Sequence, residues 1–286
     1  MIQGEKREQQ ESQKRLKIGV GEVKVLAINP STEEYSSVLG IELKEDSKAT
    51  EYLGESKDNN TTLRLDIWVE NVKTKERDKI TYFLENKERV NKDGTKKQYI
   101  NQEGACSWAD DPNNLPDWFK KREYRVAYNG EEELHNFLRT WLGKLDVREK
   151  GELLLEWKPL MKGNVKELTS MLGSEYETNV VVLYTVKSQE KEGETKNYQS
   201  IYNKQLLPAY NMKFFRNVDY NKEEVQNALK SKKPKDLKPH EKFVVNVSNP
   251  EHGCRESFTL SEMKEFNPEE YLAASSKVLS DEDSSY

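Results

Sequence analysis

Leu63-Arg64-Leu65-Asp66-Ile67-Trp68-Val69 alternates without a break between aliphatic residues and residues that are polar or aromatic. Successive side chains of an extended chain point to opposite sides, so a period of two marks a strand with one face in a core. Leu63, Leu65, Ile67 and Val69 are assigned to that core, and Arg64, Asp66 and Trp68 to the other face. Residues 80–85 repeat the pattern: Ile80, Tyr82 and Leu84 point inward, leaving Lys79, Thr81 and Phe83 on the far side. Residues 96–101 form a third such run, with Ile100 inward and Lys97 and Tyr99 outward. A turn at Asn91-Lys92-Asp93-Gly94 leads into it, where Asp-Gly supplies the positive φ of a tight hairpin.

Outward from these strands the chain stays rich in short extended runs. A strand at 20–28 ends at Asn29-Pro30, and a polar stretch follows with one apolar patch at 38–43 and a long loop at 46–60. Residues 104–108 continue the ribbon or begin the next strand, Asp110 to Pro116 is a turn cluster, and 122–128 is a strand. Glu131 to Leu142 reads as a helix, with Leu134, Phe137, Leu138, Trp141 and Leu142 on one stripe and three glutamates in the first turn. Further strands are expected at 153–157, 180–186, 197–202, 242–247 and 256–260, and short helices at 165–172 and 222–229. The run 180–186 is apolar on both faces, which places it centrally under two covering layers. Many short strands with few helices predict a mainly β, α+β fold built on a barrel or sandwich. The division expected is a polar arm at 1–17, a core at 18–218, a basic extension packed on it at 219–266, and a flexible acidic tail at 267–286.

Bulk composition argues neither for nor against chemistry. The chain has 286 residues and a formal net charge of −5 from 46 basic and 51 acidic residues. A nucleic-acid binder of this balance must segregate its cations. Cys106 and Cys254 are far apart and no CxxC occurs, so a reduced, cytoplasmic protein is expected. Met1 to Arg15 lacks the apolar region of a secretory signal, and no apolar run approaches the ~18–20 residues that cross a bilayer.

The outward face carries the functional reading. Taken as neighbours, the three strands gather Trp68, Phe83 and Tyr99 beside Arg64, Lys79, Lys96 and Lys97. Unpaired bases stack on such rings for ~1–3 kcal/mol each whatever their identity. Phosphates need cations beside the stack, which makes binding salt-dependent. Arg125 is a further candidate for the groove, and the lysine-rich stretch from Lys213 to Lys242 a candidate extension of the phosphate track. The competing reading covers this face with the 46–60 loop or the C-terminal part, making Trp68 and Phe83 a second core. The chain ends in Asp281, Glu282 and Asp283 with Tyr286 last, a pattern that competes with phosphate for a basic groove or docks in a partner's basic pocket.

No enzymatic function, cofactor or metal is expected, and the alternative to strand binding is a non-catalytic structural or virion-associated interaction protein whose aromatic face meets protein. Asp146, Glu156 and Lys158 loosely match the spacing of a magnesium nuclease, and His252 with Cys254 offers two zinc ligands, but neither set is complete. Gly19-Val20-Gly21 leads into a strand and lacks the third glycine of a dinucleotide loop.

One resemblance adds to this. Gln98-Tyr99-Ile100-Asn101, Gly104, the run from Cys106 to Pro112, Arg122-Glu123-Tyr124-Arg125 and Glu131-Glu132-Glu133-Leu134 resemble replication-associated single-stranded DNA-binding proteins of large tailed phages, the crAss-like group in particular. The acidic tail with a terminal aromatic is similar to that of bacterial and phage single-strand binders, although Tyr286 stands where Phe is usual. The resemblance implies an OB-like antiparallel β-barrel with inserted helices, coating of single-stranded DNA in replication or recombination, and contacts with replication proteins through the tail.

Overall fold

The alternation at 63–69 has its full physical consequence: Leu63, Leu65, Ile67 and Val69 are completely buried. They share a core with Ile80, Tyr82 and Leu84 of the next strand. The fold is known from a computed structural model, which describes residues 15–43, 52–55, 61–85, 89–90, 93–94, 96–102, 105–109, 125–126, 128–145, 160, 162–191 and 194–269. In chain order the elements are β1 (Lys17–Ile28), α1 (Thr32–Ser37), β2 (Leu53–Glu55), β3 (Thr61–Asn71) and β4 (Arg77–Glu85). Next come β5 (Arg89–Val90), β6 (Lys96–Gln102), β7 (Ala105–Ala109), β8 (Arg125–Val126), α2 (Glu131–Trp141) and α3 (Lys166–Thr169). The chain closes with β9 (Val180–Lys191), β10 (Glu194–Pro208), α4 (Met212–Asn217), α5 (Glu223–Lys230), α6 (Pro239–Val247) and β11 (Lys264–Glu265).

Seven strands form one sheet in which β4, β3, β1, β9 and β10 follow one another as antiparallel neighbours. β2 pairs with the start of β3, and β11 with the start of β1. Four antiparallel steps leave the two end strands, β4 and β10, running in the same direction. Two side chains bridge them: Asn203 Nδ2 donates to the Thr81 carbonyl at 2.7 Å, and the Tyr82 hydroxyl donates to the Asn203 carbonyl at 3.3 Å. No ladder joins these edges among the described residues. The class is therefore mainly antiparallel sheet with a few helices, as the strand count predicts.

α2 packs on the inward face of the sheet. Phe137 stacks on Trp141 at 5.6 Å and tilts against Tyr82 at 5.9 Å, while Trp141 Nε1 donates to Glu177 Oε1 at 3.1 Å. Gly130 at the helix entrance has φ +86°, and a Cβ there would overlap the Phe83 carbonyl oxygen of β4. The opposite side of β9 carries a second core, in which Val20, Val181 and Leu183 meet Phe215 of α4, Leu229 of α5 and Phe243 of α6. β9 is apolar on both faces because both are covered, in agreement with the sequence reading.

Several expectations are corrected. β4 and β6 are not neighbours: β6 lies in a separate four-stranded sheet with β5, β7 and β8. The turn containing Asp93-Gly94 therefore stands between β5 and β6, not after β4. Residues 242–247, read as a strand for their valines, are the end of α6. Pro239 sits in its first turn, Lys238 N donates to Glu241 Oε2 at 2.8 Å, and Phe243, Val244 and Val247 form its buried stripe. Residues 256–260 make no strand, only a paired bridge between Ser257 and Val186. The stretch after Pro30 holds α1, whose Ser31-Thr32-Glu33-Glu34 is a capping box: Ser31 N donates to Glu34 Oε2 at 2.7 Å and Ser31 Oγ accepts from Glu34 N at 3.3 Å. The strand expected at 153–157, the turn cluster at 110–116 and most of the strand at 122–128 lie outside the described residues.

Gly173 also has a positive φ, +73°, but open space where a Cβ would go. Gly173→Ala should cost about 1–2 kcal/mol from backbone strain alone. Gly130→Ala should cost at least about 2 kcal/mol more, because the β4 backbone must move. Urea unfolding of the two variants measures the difference, and equal midpoints would contradict the packing of α2 against β4.

Candidate nucleic-acid interface

The outward face of β3 and β4 is set by their register, which places Arg64 opposite Phe83, Asp66 opposite Thr81, Trp68 opposite Lys79 and Glu70 opposite Arg77. Inward residues alternate with these and are buried, so the face is fixed by the core behind it. Asp66 is its centre and is completely buried although it points away from that core. Its carboxylate accepts from Arg64 Nε and Nη2 at 3.0 and 2.9 Å, from Lys79 Nζ at 3.1 Å, and from the Thr81 hydroxyl at 2.7 Å. Asp66 N in turn donates to Asn29 Oδ1 at 2.7 Å, which ties the end of β1 to this point.

The two ends of the face differ. At one end Trp68 is half-buried. Tyr35 of α1 meets its ring edge-on, 5.8 Å away at 82°, and Leu39, Ile41 and Leu43 complete the cluster. Lys79 Nζ lies 5.8 Å from the centre of the indole. Arg77 donates to the Leu39 carbonyl, so β4 also holds this covering segment. At the other end Phe83 is 53% exposed, with Arg64 as its cross-strand neighbour. Four residues of strand separate the two rings, roughly 13 Å at ~3.3 Å per residue, so they are too far apart to contact the same base.

The remaining candidates fall elsewhere. Lys96, Lys97 and Tyr99 have their backbone in β6 and Arg125 in β8, within the four-stranded sheet, so their strands do not extend the β3–β4 face. The side chains of these four lie outside what is described, as do Asp281, Glu282, Asp283 and Tyr286, and Asp146, Glu156 and Lys158 of the nuclease pattern. The structure adds residues that parity in three strands did not reveal. A groove of about 790 Å³ runs beside β4 and β10, lined among others by Lys79, Thr81, Asn203, Lys204, Cys254 and Arg255. Tyr198, 47% exposed, faces Lys187 across the β9–β10 hairpin. The sequence signal for Tyr198 was its place among the alternate positions 198, 200 and 202 of a predicted strand.

Burial pushes the Cys254 thiol up to about 11, so at neutral pH it is neither a thiolate nucleophile nor a ready metal ligand. His240 is lowered from its ordinary range, chiefly by burial, and lies flat against Phe214 at 3.7 Å in the second core. Among the described residues no group of three or more metal-ligating side chains is assembled, and no helix is long and apolar enough to cross a membrane. Compared with known protein families, curated proteins and solved structures, the chain matches none.

Two outcomes follow from this geometry. Asp66→Ala leaves the partly exposed Arg64 and Lys79 without their anion and the Thr81 hydroxyl without its acceptor, and should lower stability by about 1–3 kcal/mol in chemical denaturation. A loss under about 1 kcal/mol would show that the carboxylate does not organise the face. Alkylation of Cys254 near pH 8, followed by mass spectrometry of its peptide, should run about two orders of magnitude slower than for a free cysteine. The rate should climb as pH rises towards about 11.

Proposed function

We propose that this protein coats single-stranded DNA without performing chemistry on it, as a replication-associated binder of the phage type acting in the host cytoplasm. The observation that carries the reading is Phe83: a large ring more than half exposed on a strand surface, directly across from a guanidinium that a buried carboxylate holds in place, with an ammonium on the same carboxylate further along the face. A flat face with adjacent cations suits an unpaired base and its phosphates.

The strand order supports the same reading. Counting β1, β3, β4, β9 and β10 as five consecutive strands, the first pairs with the second and fourth, the second with the third, and the fourth with the fifth. α2 precedes the fourth strand, and the third and fifth approach in the same direction through Asn203. An OB-type barrel has this connectivity and binds oligonucleotides on the face of its second and third strands, here β3 and β4. Trp68 acts in this scheme as a half-covered wall beside Lys79, with Phe83 as the stacking platform. The acidic end at Asp281, Glu282, Asp283 and Tyr286 contacts replication or recombination proteins.

Titration with an oligothymidylate at low and high salt tests the proposal. Tryptophan fluorescence should quench on binding, and affinity should fall steeply with salt. Phe83→Ala should weaken binding by about 5- to 150-fold, the ~1–3 kcal/mol of one base stack. Unchanged fluorescence at micromolar protein, or a Phe83→Ala variant that binds as wild type does, overturns it.

A further inference from the structure

We infer that a bound strand does not end on the β3–β4 face but crosses the β4–β10 seam and runs along the adjoining groove to the lysine-rich turn between α5 and α6. This inference rests on the single-strand reading and extends it to a second, phosphate-tracking segment of the same site. Lys79 and Thr81 are the hinge of the argument, because they belong to both surfaces. Each bonds Asp66 within the face, and each lines the groove. The groove continues into a second basin, also of about 790 Å³, and the two basins share Tyr202, Lys204 and His252. The second basin ends against Leu237, Pro239 and Lys242 at the start of α6.

Charge changes along this route. The groove holds Lys204 and Arg255, but also Glu251 and Glu256, and Glu132 and Glu133 of α2 at its far side. Glu256 accepts from the Thr185 hydroxyl, and Glu251 lies 3.8 Å from His252. The groove therefore supplies room rather than net charge. The turn beyond it supplies the charge: from 230 to 242 the chain carries Lys230, Lys232, Lys233, Lys235, Lys238 and Lys242 against two acids. Of these acids, Glu241 is buried and paired with Lys232 at 2.8 Å. Lys230, Lys233, Lys235, Lys238 and Lys242 are exposed. A path that starts at Lys79 and Thr81, the latter two positions along β4 from the exposed Phe83, and reaches Lys242 at the edge of the lysine-rich turn fits a flexible polyanion carrying splayed bases.

Binding of oligothymidylates of about 6 and about 20 nucleotides, compared from low to moderate salt, tests the route. The probe protein is the full chain and its variant Lys204→Ala/Lys235→Ala/Lys242→Ala, with Phe83→Ala measured in parallel. The triple variant should bind the longer oligomer about ten- to a hundredfold more weakly, and the slope of log affinity against log salt should fall by about 2, ~0.7 per lost phosphate contact. Its loss on the shorter oligomer should be at least about tenfold smaller, because a strand of that length is filled by the β3–β4 face. An unchanged slope, or equal losses on both oligomers, overturns the route. If Phe83→Ala still weakens binding in that case, the single-strand reading survives; if wild type binds neither oligomer, both fall.

Discussion

A carboxylate placed on a sheet face and removed from water destabilises the fold by several kcal/mol unless its charge is met at close range. Asp66 meets that condition with two nitrogens of Arg64, the ammonium of Lys79 and the hydroxyl of Thr81. The requirement runs in both directions. The carboxylate is tolerable only because the cations converge on it, and the cations are held in fixed positions only because the carboxylate is there. Arg64 is thereby placed across from Phe83, and Lys79 over Trp68. The outward face is consequently an ordered array of ring and cation rather than a set of mobile side chains.

The core behind this face supplies the rigidity that the arrangement needs. β3 is paired on one side with β4 and on the other with β1 and β2, so its register is set from both edges. α2 covers the inward face through Phe137 and Trp141, and its entrance at Gly130 touches the backbone of Phe83 itself. The exposed ring thus sits on a strand whose rear surface is packed against the helix. A second core on the far side of β9 fixes α4 to α6, and with them the position of the lysine-rich turn relative to β10. The β3–β4 face and the lysine-rich turn are thus both anchored to β1, β9 and their neighbours.

Much of this was legible in local pattern. Period two at 63–69 and 80–85 gave the inward and outward sets of β3 and β4 because a single buried face enforces parity. The stripe in Glu131 to Leu142 gave α2, and the doubly apolar 180–186 gave a central strand. Some failures are local signals outweighed by propensity, and the others depend on partners distant in the chain. Val244, Val245 and Val247 favour a strand by propensity, yet Pro239 and the core position of Phe243 make them helical. Tyr99 alternates correctly in its own strand, but its strand pairs in another sheet. Trp68 and Phe83 have equivalent positions in pattern, yet α1 covers one and leaves the other open.

What the sequence determined by itself is the identity of each strand's two faces, because the alternation of side chains is a property of the extended backbone and needs no knowledge of the rest of the chain. Which strands lie side by side, which ring is covered, and how Lys79 joins the face to the groove were decided only in the tertiary structure. Those relations depend on segments tens to hundreds of residues apart, brought together by burial of their apolar sides, and no local period records them.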